Sequence, residues 1–468
     1  MNWHRFSASG CAELRALAWG ALPRDTSSYP DHLFWEGSAL FTPQQLFGEV
    51  EPSADVLCHA PFLERARLEH ERERDVPARL ALGAYLVSRL VDRLLVRDGS
   101  AGAQEGLLWQ LDAVRRHLRE LPPDVPESAH LHGITDSIPV GPQPFASLRL
   151  SLMAYAYFLE HEARLEEALE VLALAVRTHG LDVPAEDFAA SALFAGRLNR
   201  LLARWNEATS CYVSAEAAAG GAGDQVLVLR ARLGVSGVMR GRGDLQEAER
   251  IARRVLQQAN ELSLSEVESM AYQDIGVALE AQGRRDEAVA AKYQAFLRTG
   301  DTLQRMRVLG DLGTGLAELG EYEVARVALE IVAGSKSGFI VRTNAFIELM
   351  NIESSVGDRL AFERRRSGAH AVLDRMPPSM HADYLFKLGV GLARFGQVSR
   401  ARETLSTGLA LAEAQQLNTW YFRFERVLLN LGECETREPE QSKPAVRASS
   451  PAFREMAVGL REYALATS

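Results

Sequence analysis

The stretch 275–297, IGVALEAQGRRDEAVAAKYQAFL, decides the fold because it reads as two amphipathic helices joined by a tight turn. Gly276 is followed twelve positions later by Ala288, and Gly283 lies five positions before Ala288. A glycine at such a junction adopts the left-handed conformation that ends one helix and permits a sharp turn. Helices approach to about 8 Å only where their contact residues are small. We therefore predict an antiparallel helical pair that crosses at Gly276 and Ala288.

The same pattern returns along the chain at nearly constant spacing. Its second position recurs at 168, 208, 248, 288, 325, 362 and 401, in steps of 37 to 40 residues, and it is alanine in all of them except Phe362. The turn glycine recurs at Gly243, Gly283, Gly320, Gly357 and Gly396. In GDLQEAE, Asp244 is expected to cap the second helix, with Glu247 completing a capping box. Because each pair leaves an apolar face unburied, the pairs must stack. We predict at least seven pairs between 147 and about 430, with no sheet.

Three of these segments resemble tetratricopeptide repeats: 275–297, LGTGLAELGEYEVARVALEI at 312–331, and LGVGLARFGQVSRARETLSTGLAL at 388–411. The resemblance covers about 147 to 416. The family's usual period is about 34 residues, so these are stretched repeats, similar to those of bacterial regulatory receptors and adaptor proteins. The resemblance implies an all-α fold, an α-solenoid forming a right-handed superhelix, with the first helix of each pair lining a concave binding face.

The rest of the chain is expected to flank this array. Trp3, Trp19 and Trp35 belong to an aromatic-rich, helical N-terminal region. Proline density marks a linker or ordered loop, and a charged, Pro/Ser-containing stretch reads as a tether. The predicted organisation is an N-terminal region at 1–76, a helical pair at 77–121, a Pro-rich linker or loop at 122–146, the array at 147–434, a tether at 435–452 and an amphipathic helix at 453–468.

The C-terminal helix has two interpretations. Phe453, Met456 and Leu460 share one helical face. That face either caps the chain's own solenoid or docks into a neighbouring molecule, which would make self-association through this helix a second outcome.

Composition and charge restrict the function. The net charge of -10 argues against nucleic acid and anionic membranes as partners, because both attract a basic surface. The start, MNWHRFSASG, lacks the apolar run of a secretory signal, so we predict a cytoplasmic protein. No phosphate loop, nucleophile elbow or zinc-protease motif occurs. We therefore predict no enzymatic activity and no cofactor.

The histidines, the cysteine and the carboxylates that could form a catalytic or metal site are better explained as ordinary structural residues. His130 and His132 form an HxH in the Pro-rich loop, without nearby carboxylate or cysteine partners to complete a metal site. Cys58 and His59 are expected to be a partly exposed pair. The carboxylates Glu166–Glu167 and Glu247 are placed on solvated helix faces.

Four arginines are the main candidates for binding. Arg197 and Arg200 of one repeat, and Arg230 and Arg240 of the next, fall on positions predicted to face the groove. Guanidinium groups suit carboxylates and phosphates. We predict one basic patch that binds an acidic segment or a C-terminal carboxylate. In the alternative, some pair with local carboxylates such as Glu160 and only solubilise the groove.

Two asparagines are secondary candidates. Asn344 and Asn351 lie seven residues apart on one helix face. They resemble the asparagines with which family members clamp an extended peptide backbone, although ordinary polar lining is the alternative.

Two functions fit this sequence. The first is a non-catalytic scaffold that holds a protein segment or peptide in its groove. The second is a ligand- or peptide-sensing regulatory receptor whose N-terminal region acts on an effector, a hypothesis based on fold analogy.

Overall fold

The computed structural model describes residues 40–48, 58–96, 101–139, 145–162, 164–373, 376, 378–414, 417–434 and 451–467. These residues form twenty-one helices and contain no strand. The helices are α1 Pro43–Phe47, α2 Ala60–Glu71, α3 Asp75–Val96, α4 Ala101–Arg119, α5 Pro126–Asp136, α6 Ala146–His161, α7 Leu165–Arg177, α8 Ala185–Leu201, α9 Trp205–Ala222, α10 Gln225–Arg242, α11 Leu245–Glu261, α12 Ser265–Ala281, α13 Arg285–Arg298, α14 Thr302–Glu318, α15 Tyr322–Gly334, α16 Phe339–Val356, α17 Arg359–His370, α18 Pro378–Arg394, α19 Val398–Ala414, α20 Asn418–Cys434 and α21 Pro451–Thr467. Within this part of the chain, no helix combines the length and apolarity needed to cross a bilayer. The prediction of an all-α fold is confirmed.

The chain divides into two compact units, Met1–Ile251 and Ala252–Ser468. In the first, one core cluster of buried apolar residues extends from Phe47 of α1 to Ala231 of α10. In the second, separate clusters are centred on α14–α15 and on α18–α19. Each unit therefore has its own apolar core.

Seven helical pairs follow one another from α6–α7 to α18–α19, as the spacing predicted. All five turn glycines adopt the left-handed conformation. Their φ angles are 90° at Gly243, 82° at Gly283, 82° at Gly320, 80° at Gly357 and 73° at Gly396. A residue with a β-carbon is strained in this conformation, which explains why glycine recurs there.

The predicted close crossing of helices is present. A β-carbon on Gly276 would lie 3.1 Å from the carbonyl oxygen of Ala288 and 2.8 Å from Cγ of Lys292. In the pair α10–α11, the Ser236 hydroxyl donates to the carbonyl oxygen of Ala248 at 2.8 Å. Where the first small residue of a pair is a glycine, the side chain nearest to it belongs to the residue four positions after the second small residue. For Gly276 that residue is Lys292. The register is confirmed, and the tightest side-chain contact is one turn further along than predicted.

The cap predicted at Asp244 is also present. Its carboxylate accepts a hydrogen bond from the Glu247 backbone amide at 3.1 Å. The Glu247 carboxylate itself accepts from Nε of Arg250 at 2.7 Å, so Glu247 belongs to a local ion pair.

The Pro-rich segment 122–146 differs from the predicted linker or loop because it contains α5, an eleven-residue helix. Pro126 lies in the first turn of that helix, where its missing N–H costs nothing. Leu131 and Ile134 of α5 are buried in the core of the first unit. Proline density thus marked a helix start as well as a turn.

Glu167 is buried, and its predicted place on a solvated face is wrong. It pairs with Arg164 and lies 3.7 Å from Arg65. Arg164 also holds Glu127 at 2.7 Å, and the Tyr155 hydroxyl donates to Glu127 at 2.8 Å. Burial would raise the pKa of Glu127, but the two guanidinium groups outweigh burial and lower that pKa to about 2. These buried side-chain ion pairs connect α2, α5 and α7 within the first unit.

His59 is likewise buried, with 2% of its surface exposed, which corrects the expected exposure of this residue. Its Nε2 lies 2.7 Å from Asp92 and its Nδ1 lies 2.9 Å from Glu170. Asp92 also accepts from Arg177 at 2.8 Å. His59 therefore bridges two carboxylates of α3 and α7.

The HxH residues lie on α5, and not in a loop. The His130 ring packs against Phe158 at a tilt of 35°, with centroids 4.8 Å apart, and burial lowers the pKa of His130. Nδ1 of His132 lies 2.8 Å from the carbonyl oxygen of Ser128. In the described chain, no group of three or more metal-ligating side chains includes them.

The C-terminal helix α21 docks onto its own chain. Met456 and Leu460 are buried in the same cluster as Leu329 of α15. The Tyr463 ring meets Phe296 edge-on, with centroids 5.2 Å apart. The face that carries Met456 and Leu460 is therefore occupied within the chain, and self-association through α21 stays a prediction. Residues 435–450 of the predicted tether and residues 1–39 and 49–57 of the N-terminal region lie outside the described residues.

Candidate functional site

The four candidate arginines lie in the first unit. Arg197 and Arg200 are on α8, Arg230 and Arg240 are on α10, and all four are half-buried. These are the first helices of two successive pairs, as predicted.

A pair of aromatic rings lies beside Arg197. The Tyr157 ring of α6 stacks on Phe194 of α8, with centroids 4.4 Å apart and an angle of 14°. The Arg197 guanidinium lies 5.2 Å from the Phe194 centroid, a distance at which a cation and a ring face attract each other. Tyr157 remains 37% exposed. The site thus offers an accessible aromatic face next to a positive charge.

Arg197 is already engaged by a carboxylate of the same unit. Its Nη2 donates to Glu160 of α6, the pairing that the sequence left open as the alternative. Its Nε, however, is buried and has no hydrogen-bond partner in the described part of the chain. A buried N–H group without a hydrogen bond is energetically unfavourable, and an added acceptor would relieve that cost. Glu160 therefore satisfies Arg197 only in part.

Arg230 makes no ion pair or hydrogen bond with any described residue. Burial is the main influence on it and lowers its pKa below the usual value, with Arg197 adding a further lowering. Tyr157 and Asp224 act in the opposite direction without reversing the shift. Because an arginine stays protonated at any physiological pH, the lowered pKa expresses the cost of a partly dehydrated charge that is not in an ion pair.

Arg200 is held by packing. Its Cδ lies 3.0 Å, and its Nε 3.2 Å, from the position that a β-carbon on Gly237 would occupy. The aliphatic stem therefore runs across the surface of α10 where glycine leaves room. Within the described chain, Arg200 has no carboxylate partner.

Arg240 stands apart from this group. It lies ten residues after Arg230 on α10, about 15 Å further along the helix axis at about 1.5 Å per residue. It also has an interaction of its own within the chain. The four arginines do not form one uniform patch: Arg197 and Arg230 act on each other, Arg200 adjoins α10 at Gly237, and Arg240 is more distant.

The two asparagines lie on α16 in the second unit. Asn344 is exposed, whereas Oδ1 of Asn351 accepts from Nη1 of Arg394 at 3.0 Å. One half of the predicted peptide clamp is therefore engaged inside the chain, which leaves only the amide N–H groups of Asn351 for a ligand.

Charges in the second unit have internal partners that sequence reasoning missed. Nζ of Lys387 contacts Glu348 at 2.6 Å and Asp383 at 2.7 Å, and those two carboxylates raise its pKa although burial would lower it. Nζ of Lys292 contacts Glu280 at 2.6 Å. The scarcity of lysine in an arginine-rich chain was the signal available in the sequence, because two of its four lysines are these paired ones, Lys292 buried and Lys387 half-buried. Arg230 lacks a comparable partner.

Comparison with known proteins gives little to add to this geometry. No family model matches the chain, and no curated protein matches it. Among solved structures, the chain is similar to the apo form of RapI, with 11% identity and a TM-score of 0.41 over 57% of this chain and 98% of that one. It is also similar to a Rap protein complexed with Competence and Sporulation Factor, with 12% identity and a TM-score of 0.40 over 76% of this chain and 99% of that one. Likeness at this level establishes neither a shared family nor a shared function. The fold itself defines a helical-repeat protein of tetratricopeptide-like design.

Proposed function

We propose that this chain is a non-catalytic binding protein that holds an anionic segment of a protein or peptide against α8 and α10. The supporting observation is Arg230, a partly dehydrated cation that makes no ion pair with any described residue. A bound carboxylate would remove that cost, and the energy recovered favours binding.

The neighbouring groups fit the same ligand. Nε of Arg197 is a buried donor without an acceptor, and Arg200 is a second cation without a carboxylate. The exposed face of Tyr157 next to Arg197 suits an apolar or aromatic side chain of the same segment. The ligand class is therefore a peptide with one carboxylate and an adjacent apolar residue, either within the chain or at its C terminus.

Defined peptides distinguish these two forms of carboxylate. Fluorescein-labelled hexaglutamate with an amidated end tests internal acidic residues, and a pentaglutamine peptide with a free end tests a terminal carboxylate. Fluorescence anisotropy with the full chain measures both. We expect saturable binding of at least one peptide, weakened by salt because the contact is ionic.

Two double variants test the location of the site. Arg200→Glu with Arg230→Glu should abolish binding, while the helical circular dichroism and Tm remain near those of the wild type. Arg116→Glu with Arg119→Glu makes the same change in net charge on exposed positions of α4 and should bind normally. Equal loss in both variants, or in neither, would contradict the proposal.

The sensing alternative assigns the effector surface to residues 1–76. Much of that region lies outside the described residues. The regulatory role therefore stays a prediction based on the sequence.

A further inference from the structure

A cleft in the second unit, separate from the arginine site, lies among α17, α18 and α19. Its volume is about 260 Å³. A water molecule in the liquid takes about 30 Å³, so the cleft has room for a ligand of on the order of ten non-hydrogen atoms. It is thus of a size for a small molecule.

The floor of the cleft is apolar with one polar exception. Leu385, Leu388 and Leu392 of α18 line it and are all at least nine-tenths buried. Tyr384 lines the same floor and is only 1% exposed. Its hydroxyl is buried and has no hydrogen-bond partner within the described chain. Buried hydroxyl groups are nearly always hydrogen-bonded, so this one lacks a partner that a ligand can supply.

Arg366 of α17 lines the same cleft as Tyr384. Burial raises the pKa of Tyr384, the Arg366 charge lowers it, and Glu363 raises it, so both charges act on the phenol. Nε of Arg366 donates to Glu363 at 2.6 Å. The Nη groups of Arg366 make no hydrogen bond to another described residue. A phenol and a guanidinium group therefore both line this cleft.

The lining residues that α19 contributes are polar. They include Arg400, Glu403 and Thr404. Arg400 and Glu403 are exposed and opposite in charge, so these residues have no strong preference of sign. The preference for charge comes from Arg366.

We propose that this cleft binds a small amphipathic carboxylate. The apolar body lies on Leu385 and Leu388, and the carboxylate accepts hydrogen bonds from the Tyr384 hydroxyl and the Arg366 Nη groups. This goes beyond the proposed function, because the ligand is a small molecule and the residues belong to the other unit.

Calorimetric titration of the full chain with octanoate tests this site, with octanamide as the neutral match. About ten contacting atoms can supply a Kd on the order of 0.1 to 1 mM. Octanoate should bind saturably, and octanamide at least about tenfold more weakly, because it brings no charge to Arg366. Absence of saturable heat up to roughly 20 mM octanoate, or equal affinity for the amide, would overturn the proposal.

Three variants locate the contact. Tyr384→Phe should keep or raise the Tm, because it removes a hydroxyl that has no partner, and should weaken octanoate binding by about tenfold. Arg366→Gln should weaken it similarly, and Tyr421→Phe on α20 should leave it unchanged. Octanoate affinity that is unaltered in both Tyr384→Phe and Arg366→Gln would overturn the assignment. The Arg200→Glu, Arg230→Glu variant should bind octanoate normally, which separates this result from that of the arginine site.

Discussion

Arg200 lies across Gly237, with its Cδ 3.0 Å from the position that a β-carbon on Gly237 would take. The glycine of α10 thereby sets the path of an arginine side chain of α8. A glycine inside a helix lowers stability by about 1 kcal/mol relative to alanine. The contact with Arg200 gives a reason for its presence.

Gly237→Ala should separate stability from binding. The new methyl group meets only the flexible part of Arg200, so the side chain shifts and the helix gains up to about 1 kcal/mol. We expect an equal or higher Tm together with weaker binding of the acidic peptide. Gly310→Ala in α14 is the matched control, because nothing lies within 4 Å of its added carbon. Weakened binding in both variants would show that the effect is not due to Arg200.

Glu160→Gln should strengthen anion binding. Glu160 is the carboxylate that engages Arg197, and it competes with any incoming anion for that guanidinium. The amide retains the size of the side chain and removes the competing charge. Anisotropy titration should give a Kd for the acidic peptide that is lower by about two- to tenfold, the size expected for loss of a partly exposed ion pair. A higher Kd would mean that Glu160 positions Arg197 for the ligand.

Ala288→Leu tests the register of the repeats. Ala288 is 1% exposed, and its carbonyl oxygen faces the close approach of Gly276. Overpacking at such a crossing costs about 1–3 kcal/mol, so denaturant unfolding should show reduced stability. Ala290→Leu, two residues away at an exposed position, should have little effect. An unchanged stability for Ala288→Leu would place the crossing elsewhere.

His59 makes stability depend on pH. Burial would lower the pKa of His59, but its hydrogen bonds and charge interactions with Asp92 and Glu170 outweigh burial and raise it above the ordinary value of 6.5. Its contribution is therefore fully present below about pH 6.5 and is lost as pH rises through the raised folded pKa. Urea unfolding should show a larger stability difference between wild type and His59→Gln at pH 6 than at pH 9. An equal difference at both values would mean that His59 does not carry this charge.

The periodicity of the sequence was sufficient to predict the helical pairs, because turn and crossing are local requirements. Gly276 and Ala288 must be small whatever surrounds them, and Gly283 must adopt a positive φ. The α5 helix was not predicted because Pro126 and its neighbours read as breakers, and only its burial against the core shows why a helix forms.

The sequence predicted where the candidate arginines lie along the helices, but it did not predict which carboxylates they pair with. Spacing placed Arg197 and Arg230 on adjacent first helices, since the repeat length fixes which residues share a face. Which carboxylate reaches which arginine depends on side-chain paths across helices, so the sequence offered Glu160 only as an alternative partner and did not predict that Arg230 makes no ion pair. The buried state of Glu167 was missed for the same reason: its partner Arg65 lies about a hundred residues earlier in the chain.

The most direct test of an anion-binding site on α8 and α10 observes the guanidinium groups of Arg197 and Arg230. Nε–Hε signals of the isotope-labelled full chain, assigned with Arg→Lys variants, are followed by NMR during titration with amidated hexaglutamate and with free-ended pentaglutamine. We predict that the signals of Arg197 and Arg230 shift saturably with at least one of the peptides, while that of exposed Arg116 on α4 does not shift. Unchanged Arg197 and Arg230 signals with both peptides, or equal shifts for Arg116, would contradict it.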